Sequence, residues 1–220
     1  MRHHTDRAVM SVIPLKGMRG AIARNMTLGW QAPRVAMTVE VDMTACLGQQ
    51  VGVTPQVLSA VAGALRDHPA LNAWLTPEGI APQSVVNLGM AVALAEGLAV
   101  PVIRNAAARS LADMAQQVRE LAAAARQQSL PPKAYQGGSF TVTNLGATGI
   151  DWFTPILNPP QVGILGIGRT LDTPVVRDGQ IVMAPMMSMT LVFDHRAVDG
   201  HPAALFLADL RKRLETGVLP

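Results

Sequence analysis

Cysteine is nearly missing from this sequence. Cys46 stands alone among 220 residues, so no disulfide can close within the chain, and a reducing, cytoplasmic setting is expected. Aromatic side chains make up only 4 %, with a single tyrosine, and the basic residues that leave a net charge of +3 come in ones and twos. A nucleic-acid surface needs stacking faces and a basic stripe, so no nucleic acid is expected as a partner. Long apolar runs are lacking as well. The longest, LGMAVALAEGLAVPVI (88–103), is interrupted by Glu96 and by Gly89 and Gly97, which excludes a membrane span from that stretch. The opening MRHHTDRAVM has no apolar core of the signal-peptide kind. His3 and His4 read as part of a frayed terminus rather than as a metal pair, and no metal is expected.

What is present is apolar bulk. Apolar residues are 49 % and charged residues 15 %, a balance that suits deep burial, subunit interfaces included, and does not suit disorder. The length is enough for one large α/β core. Met18, Ile22, Met26 and Trp30, spaced by four, predict a helix over 17–30. Residues 34–44 alternate as a strand. A helix is predicted over 54–69, with Thr54 placed to cap it ahead of Pro55. Strands are predicted over 84–94 and 98–104, on either side of a turn at Glu96-Gly97. Ser110 and Asp113 resemble a capping box for a helix over 110–128. Further strands are expected near 137–146, 161–169, 173–183 and 187–193, with a hairpin turn at Asp178-Gly179. A last helix covers 201–215. Helices interleaved with groups of strands point to a mixed sheet with helices packed on it.

Two stretches offer chemistry. FDHRAVDG (193–200) places His195 and Asp199 four apart where an apolar strand runs out. The spacing by itself suits an ordinary polar turn at least as well, with Asp199 capping the next helix. An imidazole at a strand end is, however, well suited to take the proton of a thiol, whose thiolate is the nucleophile in acyl transfer. Acyl transfer also needs a donor for the oxyanion. SFTVTNLG offers Ser139, Thr141 and Thr143 on one face of a strand, with Asn144 turned the other way. Threonine is common in strands, so this pattern alone decides nothing.

The motifs taken together are more specific. IPLKGMRGAIARNM (13–26), ALRDHPALNAWL (64–75), VNLGMAVAL (86–94), GLAVPVIRNA (97–106), GGSFTVTNLGATGIDWFTPILNPPQVGILGIGR (137–169) and FDHRAVDG follow one another in family order. In these blocks the sequence resembles the catalytic domain of the dihydrolipoyl acyltransferases of 2-oxo acid dehydrogenase complexes, relatives of chloramphenicol acetyltransferase. The resemblance implies a chloramphenicol acetyltransferase-like α/β fold that forms trimers, with residues 13–220 as the catalytic domain and 1–12 as an extension or linker remnant. The activity it implies is transfer of an acyl group, acetyl by default, between dihydrolipoamide and coenzyme A. On the same ground His195 would be the general base and Thr143 the oxyanion donor. Asp199 would be the partner carboxylate, held by Arg19 rather than gripping the imidazole, and Asn144 would support the site from behind.

The resemblance further implies that His195 of one subunit faces Thr143 of the next. Coenzyme A would be a substrate, and the lipoyl group would come from another domain or chain. The partners it implies are a homotrimer, a larger cubic or dodecahedral core, lipoyl domains and the other subunits of such a complex. Two departures bear on this. The segment ACLGQQVGV (45–53) is shorter than its family counterpart, and no lipoyl-domain pattern is present in the sequence. They keep open a second reading, a stand-alone CoA-dependent acyltransferase with another small acceptor. No motif marks the residues that would select the acyl group or meet the CoA phosphates.

Overall fold

The computed structural model describes residues 12, 14–95 and 97–219. His3, His4, nearly all of the 1–12 extension and Glu96 of the expected turn lie outside the described residues. Among the described residues, five α-helices and ten strands follow in the order α1 (Gly17–Gln31), β1 (Arg34–Asp42), α2 (Thr44–Leu47), α3 (Val53–Asp67), β2 (Ala73–Thr76), β3 (Gly79–Pro82), β4 (Leu88–Met90), β5 (Val92–Leu94), β6 (Gly97–Ala99), β7 (Val102–Ile103), α4 (Leu111–Arg126), β8 (Phe140–Asn144), β9 (Gly163–Arg177), β10 (Gln180–Asp194) and α5 (Gly200–Thr216).

Six strands form one mixed sheet in the order β1-β10-β9-β8-β4-β7, and β2-β3 and β5-β6 are separate hairpins. β8 runs parallel to both β4 and β9, while β10 runs antiparallel to both β9 and β1. On one face Phe140, Leu165, Leu191 and Phe193 meet α3 and α5, with the Phe140 and Phe206 rings 6.0 Å apart. The other face is covered more thinly, by Leu157 over Ile164 and Val192. Glycines on β9 allow this close approach. A Cβ on Gly166 would stand 3.1 Å from Phe153 and Pro155, and one on Gly168 would collide with the carbonyl of Asp151.

The sequence reading meets the structure unevenly. α4 starts where Ser110 predicts it, with the Asp113 N–H donating to the Ser110 hydroxyl at 3.2 Å. α3 is buried all round from Pro55 to Leu65, Val57, Val61 and Leu65 included, and its N-cap is Gly52 rather than Thr54. In α1, Ile22 and Met26 are half-buried, while Trp30, at the end of their row, is 62 % exposed. The three short strands expected from 161 to 193 are two continuous 15-residue strands. Beyond the reach of β1 they leave the sheet as a two-stranded arm, closed at Asp178-Gly179, where both residues have positive φ (50° and 77°).

Candidate functional site at the end of strand β10

β10 stops at Asp194 because the chain must turn at once into α5, and the turn is built from Asp194 itself. Its N–H donates to the Val162 carbonyl at 2.9 Å, and its own carbonyl accepts from Ala197 (3.0 Å) and Val198 (3.1 Å). The Asp194 carboxylate is buried and faces Arg196. Oδ1 accepts from the Arg196 backbone N–H and from Nε, both at 3.0 Å, and Oδ2 accepts from Nη2 at 2.6 Å. Those bonds push the Arg196 guanidinium above its ordinary pKa.

Between the two members of this pair sits His195, whose N–H donates to the Pro33 carbonyl at 3.0 Å. Its ring lies 5.9 Å from that of Phe193, and its side chain is 46 % exposed. Asp199 Oδ1 is 3.7 Å from His195 Nδ1, an ion-pair distance too long for a good hydrogen bond. Asp199 occupies the N-cap position of α5, but its carboxylate makes no capping bond and points into solvent. Among the described residues, neither ring nitrogen makes a hydrogen bond.

Thr143 lies near the C-terminal end of β8, half-buried and level with Gly166. On the same strand face Thr141 donates to Gln161 Oε1 at 2.6 Å, and Ser139 is bonded to the backbone of Asn87. Among the described residues, the Thr143 hydroxyl makes no hydrogen bond, which leaves it able to donate outward. Asn144 faces the helices, where its Nδ2 donates to Thr54 Oγ1 at 3.0 Å while its Oδ1 accepts from the Gly146 N–H at 2.8 Å. It ties the end of β8 to the start of α3 and braces the strand that carries Thr143. The reading of Thr54 as a helix cap misses this role, since nothing in the local sequence joins residues ninety apart.

The register keeps His195 and Thr143 apart. Thr143 is level with Gly166, which is level with Thr190, whereas His195 follows Asp194 at the far end of β10. At ~3.3 Å per residue and ~4.8 Å per strand, they are separated by about 15 Å along the strands and about 10 Å across them. No single reacting atom can lie about 3 Å from both within one chain. Arg19 also departs from expectation. It forms no ion pair with Asp199 in the chain; instead its Nη2 reaches the turn at Gly97, 3.8 Å from where a Cβ there would stand. The ionisable neighbour of Asp199 among the described residues is His195.

A strand-end histidine, a hydroxyl on a neighbouring strand and this sheet order coincide with a known family model. Residues 8–219 match the 2-oxoacid dehydrogenases acyltransferase (catalytic domain). The chain belongs to that family. It is 43 % identical over 218 residues to the dihydrolipoyllysine-residue acetyltransferase component of the acetoin cleaving system of Bacillus subtilis (strain 168), a match covering 92 % of this chain and 55 % of that protein. To the corresponding component of the pyruvate dehydrogenase complex of the same organism it is 36 % identical over 216 residues, covering 91 % of this chain and 49 % of that protein. The chain therefore spans about half the length of the curated relatives it matches.

Solved structures agree on the fold. A probable dihydrolipoamide acetyltransferase from Listeria monocytogenes 4b F2365 superposes with a TM-score of 0.90 at 33 % identity, covering 94 % of this chain and 95 % of that one. The Azotobacter vinelandii dihydrolipoamide acetyltransferase gives 0.86 at 33 % identity, covering 94 % and 91 %. The cubic core of a pyruvate dehydrogenase multienzyme complex gives 0.84 at 33 % identity, covering 98 % and 96 %. Chloramphenicol acetyltransferase, at 16 % identity and a TM-score of 0.55 with 87 % and 94 % covered, shares the fold alone.

Proposed function

We propose that this chain is the acyltransferase domain of a 2-oxo acid dehydrogenase-type complex, moving an acetyl group between dihydrolipoamide and coenzyme A at a site shared by two subunits. One observation carries the residue roles. The Azotobacter acetyltransferase was investigated for the catalytic roles of a serine, a histidine and an asparagine, and Thr143, His195 and Asp199 stand at the same intervals along this chain. The substitutions preserve a hydroxyl donor in one place and exchange an amide for a carboxylate in the other.

The chemistry then follows from the geometry. His195 Nε2 removes the proton from the attacking thiol, and the thiolate sulfur bonds to the carbonyl carbon of the incoming thioester. The oxygen takes up the negative charge and accepts a hydrogen bond from Thr143 Oγ1 of the adjacent subunit. On collapse the original carbon–sulfur bond breaks, and the leaving thiolate recovers a proton from the imidazolium. Asp199, 3.7 Å from Nδ1, lowers the energy of that transient imidazolium. Shared sites of this kind require closed rotational symmetry, and we assign a trimer, with assembly into a cubic or dodecahedral core above it. Residues 13–220 act as the catalytic unit, residues 1–12 serve as a connection, and the lipoyl arm arrives on another domain or chain. The buried thiol of Cys46 fits a reducing cytoplasm, and no helix among the described residues is long and apolar enough to cross a membrane.

The deciding assay mixes acetyl-CoA with free dihydrolipoamide and follows formation of the new thioester. Transfer with acetyl-CoA supports the reading. No transfer from acetyl, succinyl or branched acyl donors overturns it.

A further inference from the structure

The histidine turn carries two side chains that the acyl-transfer scheme does not use. Asp194 is the only acidic residue among the buried polar side chains of the described chain, with 5 % of its side chain exposed. Both of its carboxylate oxygens, its N–H and its carbonyl are all committed within the turn and to the neighbouring strand. Such a ring is short and closed: the carboxylate grips the guanidinium with two parallel bonds and takes the backbone N–H of the same arginine. His195 is the one residue between them.

The surroundings explain why the ring is needed. Asp194 and Arg196 form a wall of a cleft of about 490 Å³ that is otherwise lined by residues such as Leu28, Leu75, Leu157 and Gln161. With open space on that side, no packed side chain holds the turn there. Backbone bonds from Ala197 and Val198 to the Asp194 carbonyl and the buried Val198 side chain hold the turn on its inner side, and on the cleft side the Asp194–Arg196 pair holds it. A neutral turn could satisfy the same backbone groups with an asparagine. A buried charge spent on a two-residue loop next to the base indicates a need for stiffness rather than mere closure.

We propose that Asp194 and Arg196 are positioning residues for His195, a carboxylate–guanidinium clamp that fixes the 194–198 turn and thereby aims the imidazole at the thiol. The aiming of a base rests on the acyl-transfer reading; the fixing of the turn does not.

The test uses the assembled protein and three variants: Asp194→Asn, Arg196→Gln and Arg196→Lys, the last keeping charge but not the planar fork. Each is sized by light scattering, crystallised and assayed for transfer between acetyl-CoA and dihydrolipoamide. We expect intact assemblies, a kcat lowered on the order of 10–100-fold, as for a base displaced by about 1 Å, and KM for either thiol substrate within about twofold. In a His195→Ala background the same substitutions should cost nothing further, because their effect runs through the imidazole. Crystals should show one His195 rotamer in the unaltered protein and several, or a shifted turn, in the variants. A loss of equal size with and without His195 overturns the positioning role in favour of a merely structural one. Superimposable, ordered turns in all variants overturn the clamp itself, even if the unaltered protein transfers no acyl group. Absence of transfer by the unaltered protein together with disordered variant turns instead overturns the acyl-transfer reading and leaves the clamp standing.

Discussion

On the proposed acyl-transfer reading, His195, Thr143 and Asp199 make separable contributions. Replacing His195 by alanine removes the imidazole at the end of β10 and should lower kcat by on the order of 10²–10⁴, as loss of a general base does. Thr143→Ala should cost on the order of 10²–10³, the value of one oxyanion donor, whereas Thr143→Ser, which keeps the hydroxyl, should stay within about tenfold. Steady-state rates of thioester formation check all three. Asp199 is exposed and makes no cap, so Asp199→Asn should change stability by no more than about 0.5 kcal/mol in a melting experiment. Cys46 is a different case. Burial pushes its thiol above the ordinary range, and it donates to the Leu214 carbonyl at 3.2 Å. The folded protein should resist thiol reagents near pH 8 and react only on unfolding. Because the folded state favours the protonated thiol, this contribution is complete below the ordinary thiol pKa and fades as pH rises above it.

At the level of elements, the sheet is held by a few tight contacts. Phe140 fills the gap between β8 and α5, and a Cβ on the neighbouring Gly163 would press to 2.6 Å from its ring. Phe140→Ala should cost about 3–5 kcal/mol in denaturant unfolding. Gly168→Ala, which drives a methyl group into the Asp151 carbonyl, should cost about 1–3 kcal/mol and loosen the cover over the face that carries Thr143. Elements with strong local chemistry are legible in the sequence: α4 from the Ser110 cap, the hairpin from Asp178-Gly179, β8 from its alternation. α3 is misread only at its start, where Gly52 is the cap and Thr54 is engaged by Asn144, ninety residues away. The β9–β10 arm is misread because the pairing that fuses its segments is long-range.

For the whole molecule, the separation of His195 from Thr143 makes a quantitative prediction. A trimer mixed from His195→Ala and Thr143→Ala subunits has one intact His–Thr pair, although each parent has none. Equal random mixing, in which roughly three quarters of trimers are mixed, should therefore restore about a quarter of the unaltered activity. Inactive mixtures that are shown to exchange subunits would rule out the shared site. Light scattering supplies the size of the assembly in the same experiment.

The sequence by itself determined the fold class and the family and offered the candidate reacting groups, because these reside in local patterns: a hydroxyl-bearing strand and a histidine at a strand end. Only the tertiary structure decided which groups meet. The register across β8, β9 and β10 sets His195 and Thr143 at different levels of one sheet; Arg19 lies against the Gly97 turn instead of Asp199; and Asp194 closes on Arg196. Strand register and the seat of Arg19 are settled by contacts between residues far apart in sequence, and no local spacing encodes them; the Asp194–Arg196 pair is local, but its burial depends on what packs around the turn.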